Sequence, residues 1–224
     1  MKRTLLTERD VEDAARRGAS SVVVESDAII TPSARDAARR HRIEFVSAPS
    51  TKTTSLTGVL LTRPKDPRNP HATTVIAIGS DHGGFELKGI LSAYLLDLGY
   101  TIADVGTTSD QPCDYPDFAY AVARLVGSGQ AAKGIMIDGV GVASAIVCNK
   151  VRGVRAVPCY SEFVARSSRE HNDANVLTLG GRVLGPEAAK SIVKVWLETW
   201  FGGGRHQQRV QKIADIEKRT MGNE

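Results

Sequence analysis

The sequence has few cysteines and lacks a long apolar run. Its three cysteines, Cys113, Cys148 and Cys159, include no close pair, which excludes a disulfide framework or a zinc site built on paired cysteines and favours a reducing compartment. No apolar stretch approaches the roughly 20 residues that a membrane span needs. The opening Met-Lys-Arg-Thr-Leu-Leu resembles the start of a signal peptide, but charged residues at 8–10 end its apolar run. We therefore expect a cytoplasmic protein with no membrane partner.

The sequence also lacks a strong charge excess over most of its length. The net charge is +4, yet residues 74–224 carry 16 basic and 16 acidic side chains, and residues 1–46 carry 9 and 8. The excess lies mainly in residues 47–73, with 4 basic side chains and 1 acidic one. Proteins that bind nucleic acids concentrate basic residues on a folded face. We therefore expect no nucleic-acid partner.

Composition divides the chain into three predicted parts. Residues 1–46 contain short strand and helix patterns, including a helix that begins at Pro32, and predict a small N-terminal module. Residues 47–73 are rich in Ser, Thr, Pro, Lys and Arg, which is typical of a flexible linker. The apolar stretch 56–61 could dock on a folded part, but its surroundings favour disorder. Residues 74–224 form the third part, the main domain.

The main domain alternates short β-branched runs with amphipathic stretches. Strands are predicted at 75–79, 100–105, 134–138, 153–157 and 176–179, with helices between them and a last polar helix at 205–219. This alternation predicts an α/β fold, a Rossmann-like three-layer αβα parallel sheet with helices on both faces. Because ligands bind at the carboxyl ends of such strands, we expect the site among loops 80–84, 106–116, 138–143 and 171–175.

Three short motifs carry candidate chemistry. Ser-Asp-His-Gly-Gly at 80–84 places a carboxylate and an imidazole beside two glycines. Asp-Gly-Val-Gly-Val-Ala at 138–143 follows a strand and opens a helix, so its amides could bind an anion, although it matches neither the Walker A nor the dinucleotide fingerprint. Arg205 and Arg209 share one helical face and suit a phosphate. Each motif also has a structural interpretation: a turn for the glycines, a solvated face for the arginines.

Taken together and in order, these motifs resemble the ribose-5-phosphate isomerase type B family, which includes galactose-6-phosphate isomerase. The similarity covers residues 74–219. Its segments are Ser-Asp-His-Gly-Gly-Phe-Glu-Leu-Lys (80–88), Asp-Tyr-Pro (114–116), Asn-Lys (149–150), Gly-Val-Arg-Ala-Val (153–157), Arg-Glu-His-Asn-Asp-Ala-Asn-Val-Leu (169–177), Gly-Gly-Arg-Val (180–183) and Gly-Gly-Arg-His-Gln-Gln-Arg-Val (203–210).

The resemblance implies an aldose–ketose isomerase that interconverts ribose 5-phosphate and ribulose 5-phosphate. Such an enzyme opens the sugar ring and moves a proton through a cis-enediolate, without a metal or cofactor. By the resemblance, His171 assists ring opening, Asp81 holds the sugar hydroxyls or ring oxygen, and two subunits share each site in a homodimer or a dimer of dimers. The remaining implied contacts are His82, Arg205, Arg209 and Arg182 to the phosphate, the amides of Gly139, Gly141 and Ala143 to the enediolate oxygens, and Asn172 and Tyr115 along the site.

Asp138 departs from the family pattern. Many members have Cys-Gly-Thr-Gly-Val-Gly in place of residues 138–143, and the Cys thiolate is their carbon base; another branch uses a Glu at the position of Ser144. We predict that Asp138 serves as the base, because a carboxylate is ionised at neutral pH. Three alternatives stay open: Asp138 only caps the following helix, the protein is an impaired sugar-phosphate-binding or scaffold protein, or it acts on a different sugar such as a hexose phosphate.

Residues 30–45 resemble a segment of proteins associated with bacterial microcompartments. One example is the N-terminal part of the ethanolamine-utilisation cobalamin adenosyltransferase. The resemblance implies that residues 1–46 recruit the enzyme to a microcompartment, with shell or cargo proteins as partners. The alternative is a small appended domain that only stabilises oligomers.

Overall fold

The structure, a computed structural model, describes residues 5–6, 11–12, 15, 21–24, 29–41, 43–47, 59–61 and 70–221. The chain divides into two compact units, Met1–Ser55 and Leu56–Glu224. The predicted division into a module at 1–46, a linker at 47–73 and a main domain stays a prediction, since parts of the first two segments lie outside the described residues.

The N-terminal unit contains two parallel strand pairs and one fully described helix. Strand β1 (Leu5–Leu6) pairs with β3 (Ile29–Ile30), and β2 (Ser21–Val24) pairs with β4 (Glu44–Ser47). Helix α1 (Pro32–His41) connects β3 to β4 and begins at the predicted proline. The N–H of Ala34 donates to the hydroxyl of Thr31 at 3.2 Å, so this threonine caps the helix. Residues 11–12 and 15 of this unit are also described and are helical.

The larger unit is built on a six-stranded sheet with the order β5-β7-β6-β8-β10-β9. Its strands are β5 (Val59–Leu61), β6 (Val75–Ser80), β7 (Thr101–Asp104), β8 (Lys133–Asp138), β9 (Ala156–Pro158) and β10 (Val176–Gly180). Strands β6 to β10 are mutually parallel, which confirms the predicted α/β class. Strand β5 pairs antiparallel with β7 at the sheet edge. The expectation of disorder for residues 56–61 is therefore wrong at these three residues.

Helices cover both faces of the sheet. They are α2 (Phe85–Asp97), α3 (Tyr115–Gly127), α4 (Val142–Cys148), α5 (Glu162–Asn172), α6 (Pro186–Glu198) and α7 (Arg205–Met221), with a short 3-10 turn at His82–Gly84. Residues of α2, α5 and α6 form the core on one face, and residues of α3 and α4 form the core on the other. Among the described residues, no helix is both long and apolar enough to cross a membrane.

The strand order creates a switch point between β6 and β8. The chain passes from β6 to β7 on one side, and from β8 towards β10 and β9 on the other. The loops that follow β6 and β8 therefore diverge to opposite faces of the sheet and leave a crevice between them, where ligands bind in open α/β sheets. Two of the three motifs singled out from the sequence, at 80–84 and 138–143, begin at this crevice.

Candidate active site

Two carboxylates lie side by side at the switch point. Ser80 at the end of β6 is in register with Ile137 of β8, so the next residues, Asp81 and Asp138, are neighbours across the strands. The N–H of Asp81 donates to the carbonyl of Ile137 at 3.2 Å and holds this register. Neighbouring strands are about 4.8 Å apart. Both residues are nearly buried, with 6% exposure for Asp81 and 4% for Asp138.

The Asp138 carboxylate is fully occupied by hydrogen bonds from its own loop. Its Oδ1 accepts from the N–H of Val140 at 2.7 Å and from the N–H of Gly141. Its Oδ2 accepts from the N–H of Ser144 at 3.0 Å and from the Ser144 hydroxyl. A carboxylate has about four acceptor positions, and here four donors fill them. The predicted anion-binding loop is present, but Asp138 itself occupies much of it.

This occupancy changes which amides remain for a substrate. The N–H of Gly141, expected to contact the enediolate oxygens, already donates to Asp138. Within the described part of the chain, the amides of Gly139, Val142 and Ala143 have no hydrogen-bond acceptor. Gly141 instead shapes the turn: its φ is +93°, and a Cβ there would lie 2.9 Å from the Leu179 carbonyl carbon. The amides left for an anion are therefore those of Gly139, Val142 and Ala143.

Asp81 is much less occupied than Asp138. Its Oδ1 accepts from the N–H of Gly84 at 3.1 Å and caps the 3-10 turn, while Oδ2 accepts no hydrogen bond of normal geometry from the described residues. Burial raises the pKa of Asp81, and the negative charge of Asp138 raises it further, against the lowering effects of the Gly84 and Gly83 amides and of His82. Asp81 is therefore a carboxylate with a free oxygen and increased basicity.

The loop after β7 orients the imidazole of His82. The backbone N–H of Cys113 donates to Nδ1 of His82 at 3.2 Å. This bond leaves Nδ1 unprotonated and places the ring proton on Nε2, where it can be donated to an anion. Tyr115 follows two residues later at the start of α3 and packs against the α3–α4 core. Cys113 thus contributes through its backbone, a role that its side chain type did not reveal.

Arg182 and Tyr160 border the loop that follows β8. The N–H of Arg182 donates to the carbonyl of Gly139 at 3.1 Å, and its side chain is exposed at the same edge. The Tyr160 hydroxyl donates to the carbonyl of Val140 at 3.0 Å. Sequence reasoning missed Tyr160. Its position just after β9, at the carboxyl edge of the sheet, is the signal that could have identified it.

His171 and Asn172 lie at the opposite edge of the sheet. The loop after them is hydrogen-bonded to the beginnings of two strands: the N–H of Asn175 donates to Arg155 at 3.1 Å, and the N–H of Gly134 donates to Asn175 at 2.9 Å. The expectation that loop 171–175 belongs to the carboxyl edge is therefore wrong. With a rise of about 3.3 Å per residue, the five residues of β10 separate the two edges by roughly 16 Å.

Basic side chains cluster around His171 at this amino edge. The rings of His171 and His206 stack with centroids 4.3 Å apart, and the Ser167 hydroxyl lies 3.1 Å from Nδ1 of His171. Arg205 and Arg209 are exposed and make no ion pair with any described residue. Desolvation and the neighbouring charges of His171, Arg205 and Arg209 lower the pKa of His206. Glu170 is the nearby negative charge that acts in the opposite direction. Two exposed arginines without an ion-pair partner suit a phosphate.

A network of ion pairs holds His171 in place. Asp173, which ends α5 with a left-handed φ of 48°, accepts from Arg155 at 2.9 Å and from Arg169 at 2.8 Å. Arg169 also donates to the Ala174 carbonyl at 2.6 Å. The side chains around the Arg-Glu-His-Asn-Asp motif therefore fix the end of α5, and the histidine projects from a rigid support.

The predicted site residues thus form two clusters. The carboxyl-edge cluster consists of Asp81, His82, Tyr115, Asp138, Gly139, Gly141, Ala143 and Arg182. The amino-edge cluster consists of His171, Asn172, Arg205 and Arg209, and His206, which was not predicted, joins it by stacking on His171. One chain does not bring the two together. Across the described ranges, no group of three or more His, Cys, Asp or Glu side chains is arranged to hold a metal ion.

Known proteins share this sequence and fold. Residues 76–213 match the family model described as Ribose/Galactose Isomerase. Ribose-5-phosphate isomerase B of Escherichia coli K12 is 49% identical over 144 residues, which cover 64% of this chain and 97% of that protein. D-erythrulose-4-phosphate isomerase of Pectobacterium atrosepticum is 40% identical over 144 residues, covering 63% of this chain and 94% of that protein.

Solved structures agree with these sequence matches. Ribose-5-phosphate isomerase B of Clostridium thermocellum is 49% identical with a TM-score of 0.64, and covers 65% of this chain and 99% of its own. The Mycoplasma genitalium enzyme, solved with bound ribulose 5-phosphate, is 41% identical with a TM-score of 0.65, and covers 67% of this chain and 100% of its own. The Rossmann-like fold and the class of sugar-phosphate isomerases expected from the sequence are confirmed. Since the family model spans more than half of the sequence, the chain belongs to the ribose/galactose isomerase family.

Proposed function

We propose that the protein interconverts ribose 5-phosphate and ribulose 5-phosphate by proton transfer through a cis-enediolate. The observation that carries the proposal is the pair of adjacent carboxylates, Asp81 and Asp138, beside the unengaged amides of Gly139, Val142 and Ala143. An aldose–ketose isomerase needs a base at carbon and donors for the developing oxyanion. The identity to the Escherichia coli enzyme favours a pentose phosphate.

The other site residues take the remaining tasks in this proposal. Arg205 and Arg209 bind the substrate phosphate. The Nε2–H group of His82 is a further donor to the phosphate, and Arg182 is another contact to it. His171 exchanges a proton with the ring oxygen as the furanose opens, and its contact with the Ser167 hydroxyl fixes the orientation of the imidazole. Asn172 and Tyr115 line the site. These groups bind and orient the sugar, so that the base needs to move the proton only between the adjacent carbons C1 and C2.

The separation of the two clusters supports a site shared between two copies of the chain. Roughly 16 Å of β10 lies between the amino and carboxyl edges, which is farther than one pentose phosphate reaches. Helix α7, which carries Arg205 and Arg209, has no buried residue among those described and exposes Ile213 and Ile216. We propose that a second copy brings its amino-edge cluster to the carboxyl-edge cluster of the first, in a homodimer or a dimer of dimers.

A different sugar phosphate is the second candidate. Val140 stands where many family members have Thr, and its side chain is 52% exposed near the site. One relative is named for a four-carbon substrate, D-erythrulose 4-phosphate. A side chain without a hydroxyl at this position cannot hydrogen-bond to the sugar oxygens as Thr does, which favours a sugar phosphate of another chain length as the second candidate.

A panel assay tests the proposed function. The purified full chain is incubated with aldose and ketose phosphates of four, five and six carbons, and the product is measured by a coupled assay. The proposal expects the largest kcat/KM with ribose 5-phosphate or ribulose 5-phosphate. A larger value for the tetrose or hexose pair would replace the substrate. Binding of a substrate analogue without turnover of any sugar would favour the impaired, scaffold-like alternative.

We further propose that the N-terminal module recruits the enzyme to a bacterial microcompartment. The proposal is supported by the resemblance of residues 30–45 and by the separate compact unit at Met1–Ser55. Deleting residues 1–55 keeps β5 on the main sheet, so it removes the module alone. Tagged full-length protein should form foci in cells that make shells, and the deletion variant should stay diffuse. Diffuse signal from both would exclude recruitment and favour a module that stabilises oligomers.

A further inference from the structure

The adjacent carboxylates of the carboxyl-edge cluster differ in the number of hydrogen bonds that they accept. Asp138 is held by four donors, two of them at the beginning of α4. A proton can join it only if one of these donors leaves, which would release the loop that also carries the Gly139 amide. A base must accept and return a proton in every turnover. The hydrogen bonds therefore favour capping as the role of Asp138.

Asp81 has the free acceptor that Asp138 lacks. Its Oδ2 accepts no hydrogen bond of normal geometry in the described part of the chain, and Oδ1 retains the single bond from Gly84. Burial and the nearby charge of Asp138 raise the pKa of Asp81, which makes its carboxylate a stronger base than an exposed one. The two neighbours thus differ in the way expected of a structural carboxylate and a catalytic one.

Gly83 lets the turn that carries Asp81 lie close to the loop after β8. A Cβ at Gly83 would lie 3.3 Å from Oδ1 of Asp81 and 3.2 Å from the nitrogen of Gly139. The carboxylate and the unengaged amide are therefore close neighbours on two sides of Gly83, where a larger residue would be crowded. A base and an oxyanion donor close to each other are what enediolate formation requires.

We propose that Asp81, rather than Asp138, removes and returns the carbon-bound proton; this rests on the proposed isomerase function. In the aldose-to-ketose direction, Oδ2 of Asp81 takes the proton from C2, and the C–H electron pair forms the C1–C2 double bond while negative charge moves to O1. The protonated Asp81 then returns the proton to C1, and the O2 proton passes to O1 as the C2 carbonyl forms. Asp138 takes no part in the proton transfer and positions the loop.

Ribulose 5-phosphate separates this role from ring opening. Its C5 oxygen carries the phosphate, so it cannot close a furanose ring, and exchange of its C1 hydrogen for deuterium in D₂O requires only the carbon base. The wild-type protein and Asp81→Asn are incubated with ribulose 5-phosphate in D₂O, and the C1 signal is followed by NMR. We expect Asp81→Asn to lose exchange by at least about 100-fold, and Asp81→Glu to recover part of it.

Asp36→Asn is the matched control, and Asp138→Asn tests the alternative base. Asp36 lies on α1 of the N-terminal unit with an exposed side chain, so its variant should exchange like the wild type. Asp138→Asn should retain more than about a tenth of the exchange rate, because the base remains. Normal exchange by Asp81→Asn together with loss of ribose 5-phosphate turnover would confine Asp81 to ring chemistry and overturn the proposal. Loss of exchange in Asp138→Asn alone would return the role to Asp138.

Two further measurements distinguish unfolding of the Asp81→Asn variant from loss of the base. Asparagine at position 81 retains an oxygen for the Gly84 N–H, so the 3-10 turn has its cap; thermal unfolding of the variant checks this directly. If Asp81→Asn unfolds, exchange by Asp81→Glu decides: full activity there with no shift in its pH dependence would contradict the assignment. A wild-type protein that neither exchanges nor isomerises would contradict the proposed function itself, which is a different result from exchange that survives in Asp81→Asn.

Discussion

Replacing Asp138 with Asn distinguishes a capping carboxylate from a catalytic one through protein stability. The amide oxygen of Asn can still accept from the N–H groups of Val140 and Gly141. The amide NH₂ would face the N–H of Ser144, which then has no acceptor. A hydrogen bond to a charged group contributes about 1.5–3 kcal/mol, and a buried donor left unsatisfied costs about 1–3 kcal/mol. We expect the free energy of unfolding to fall by about 3 kcal/mol.

Thermal and urea unfolding measure this loss. For a domain of this size, 3 kcal/mol corresponds to a decrease in Tm of roughly 6–12 °C, and all variants are compared at one protein concentration because oligomers unfold in a concentration-dependent way. Asp36→Asn, on the exposed face of α1, is the control and should change little. The reasoning is refuted if Asp138→Asn keeps wild-type stability within about 0.5 kcal/mol while turnover disappears, since that pattern belongs to a base.

Two further predictions concern charge. Lys88 donates to both oxygens of Asp104, at 2.8 and 2.6 Å, with 7% of its side chain exposed. Lys88→Met should lower the free energy of unfolding by about 3 kcal/mol because it leaves a mostly buried carboxylate unpaired. Removing Lys190, whose ion-pair partner Glu187 is 86% exposed, should cost under about 1 kcal/mol. If Asp81 acts as the base, kcat/KM should fall as the pH drops through the raised pKa of Asp81. Asp138→Asn should shift this fall in kcat/KM to lower pH, because it removes a like charge beside Asp81. A pH dependence that Asp138→Asn leaves unchanged would contradict the effect of Asp138 on the pKa of Asp81.

The alternation of strands and helices was predictable because each element has a local pattern. The short apolar run of β8 and the apolar stripe of α6 specify their structures within a few residues, and all predicted elements of the main domain are present. Strand β5 was not predictable in the same way. It has three residues in a polar segment, and pairing with β7 rather than local sequence determines it. Trp200, two residues beyond the end of α6 at Glu198, is 87% exposed.

The candidate site was predicted by residue but not by arrangement. The sequence placed loop 171–175 with the carboxyl-edge loops, although a helix that follows a parallel strand runs back to the amino edge. The sequence also predicted that the amides of the loop at 139–143 contact the substrate. Which amides Asp138 would occupy depends on its rotamer and on the turn at Gly141, and these appear only in three dimensions. Before an anion site is predicted from a glycine-rich loop, one should therefore ask whether a carboxylate of the same chain already accepts from the amides of that loop.

Mixing two inactive variants tests the central claim, a site completed by two copies of the chain. Asp81→Asn disables the carboxyl-edge cluster and Arg205→Ala the amino-edge cluster, and each variant alone should have little ribose 5-phosphate isomerase activity. After co-refolding in equal amounts, half of the dimers pair the two variants and carry one site with both changes and one unchanged site, so activity should return to roughly a quarter of the wild-type value. Activity that stays at the level of the separate variants would contradict a shared site and place both clusters in the service of a single chain.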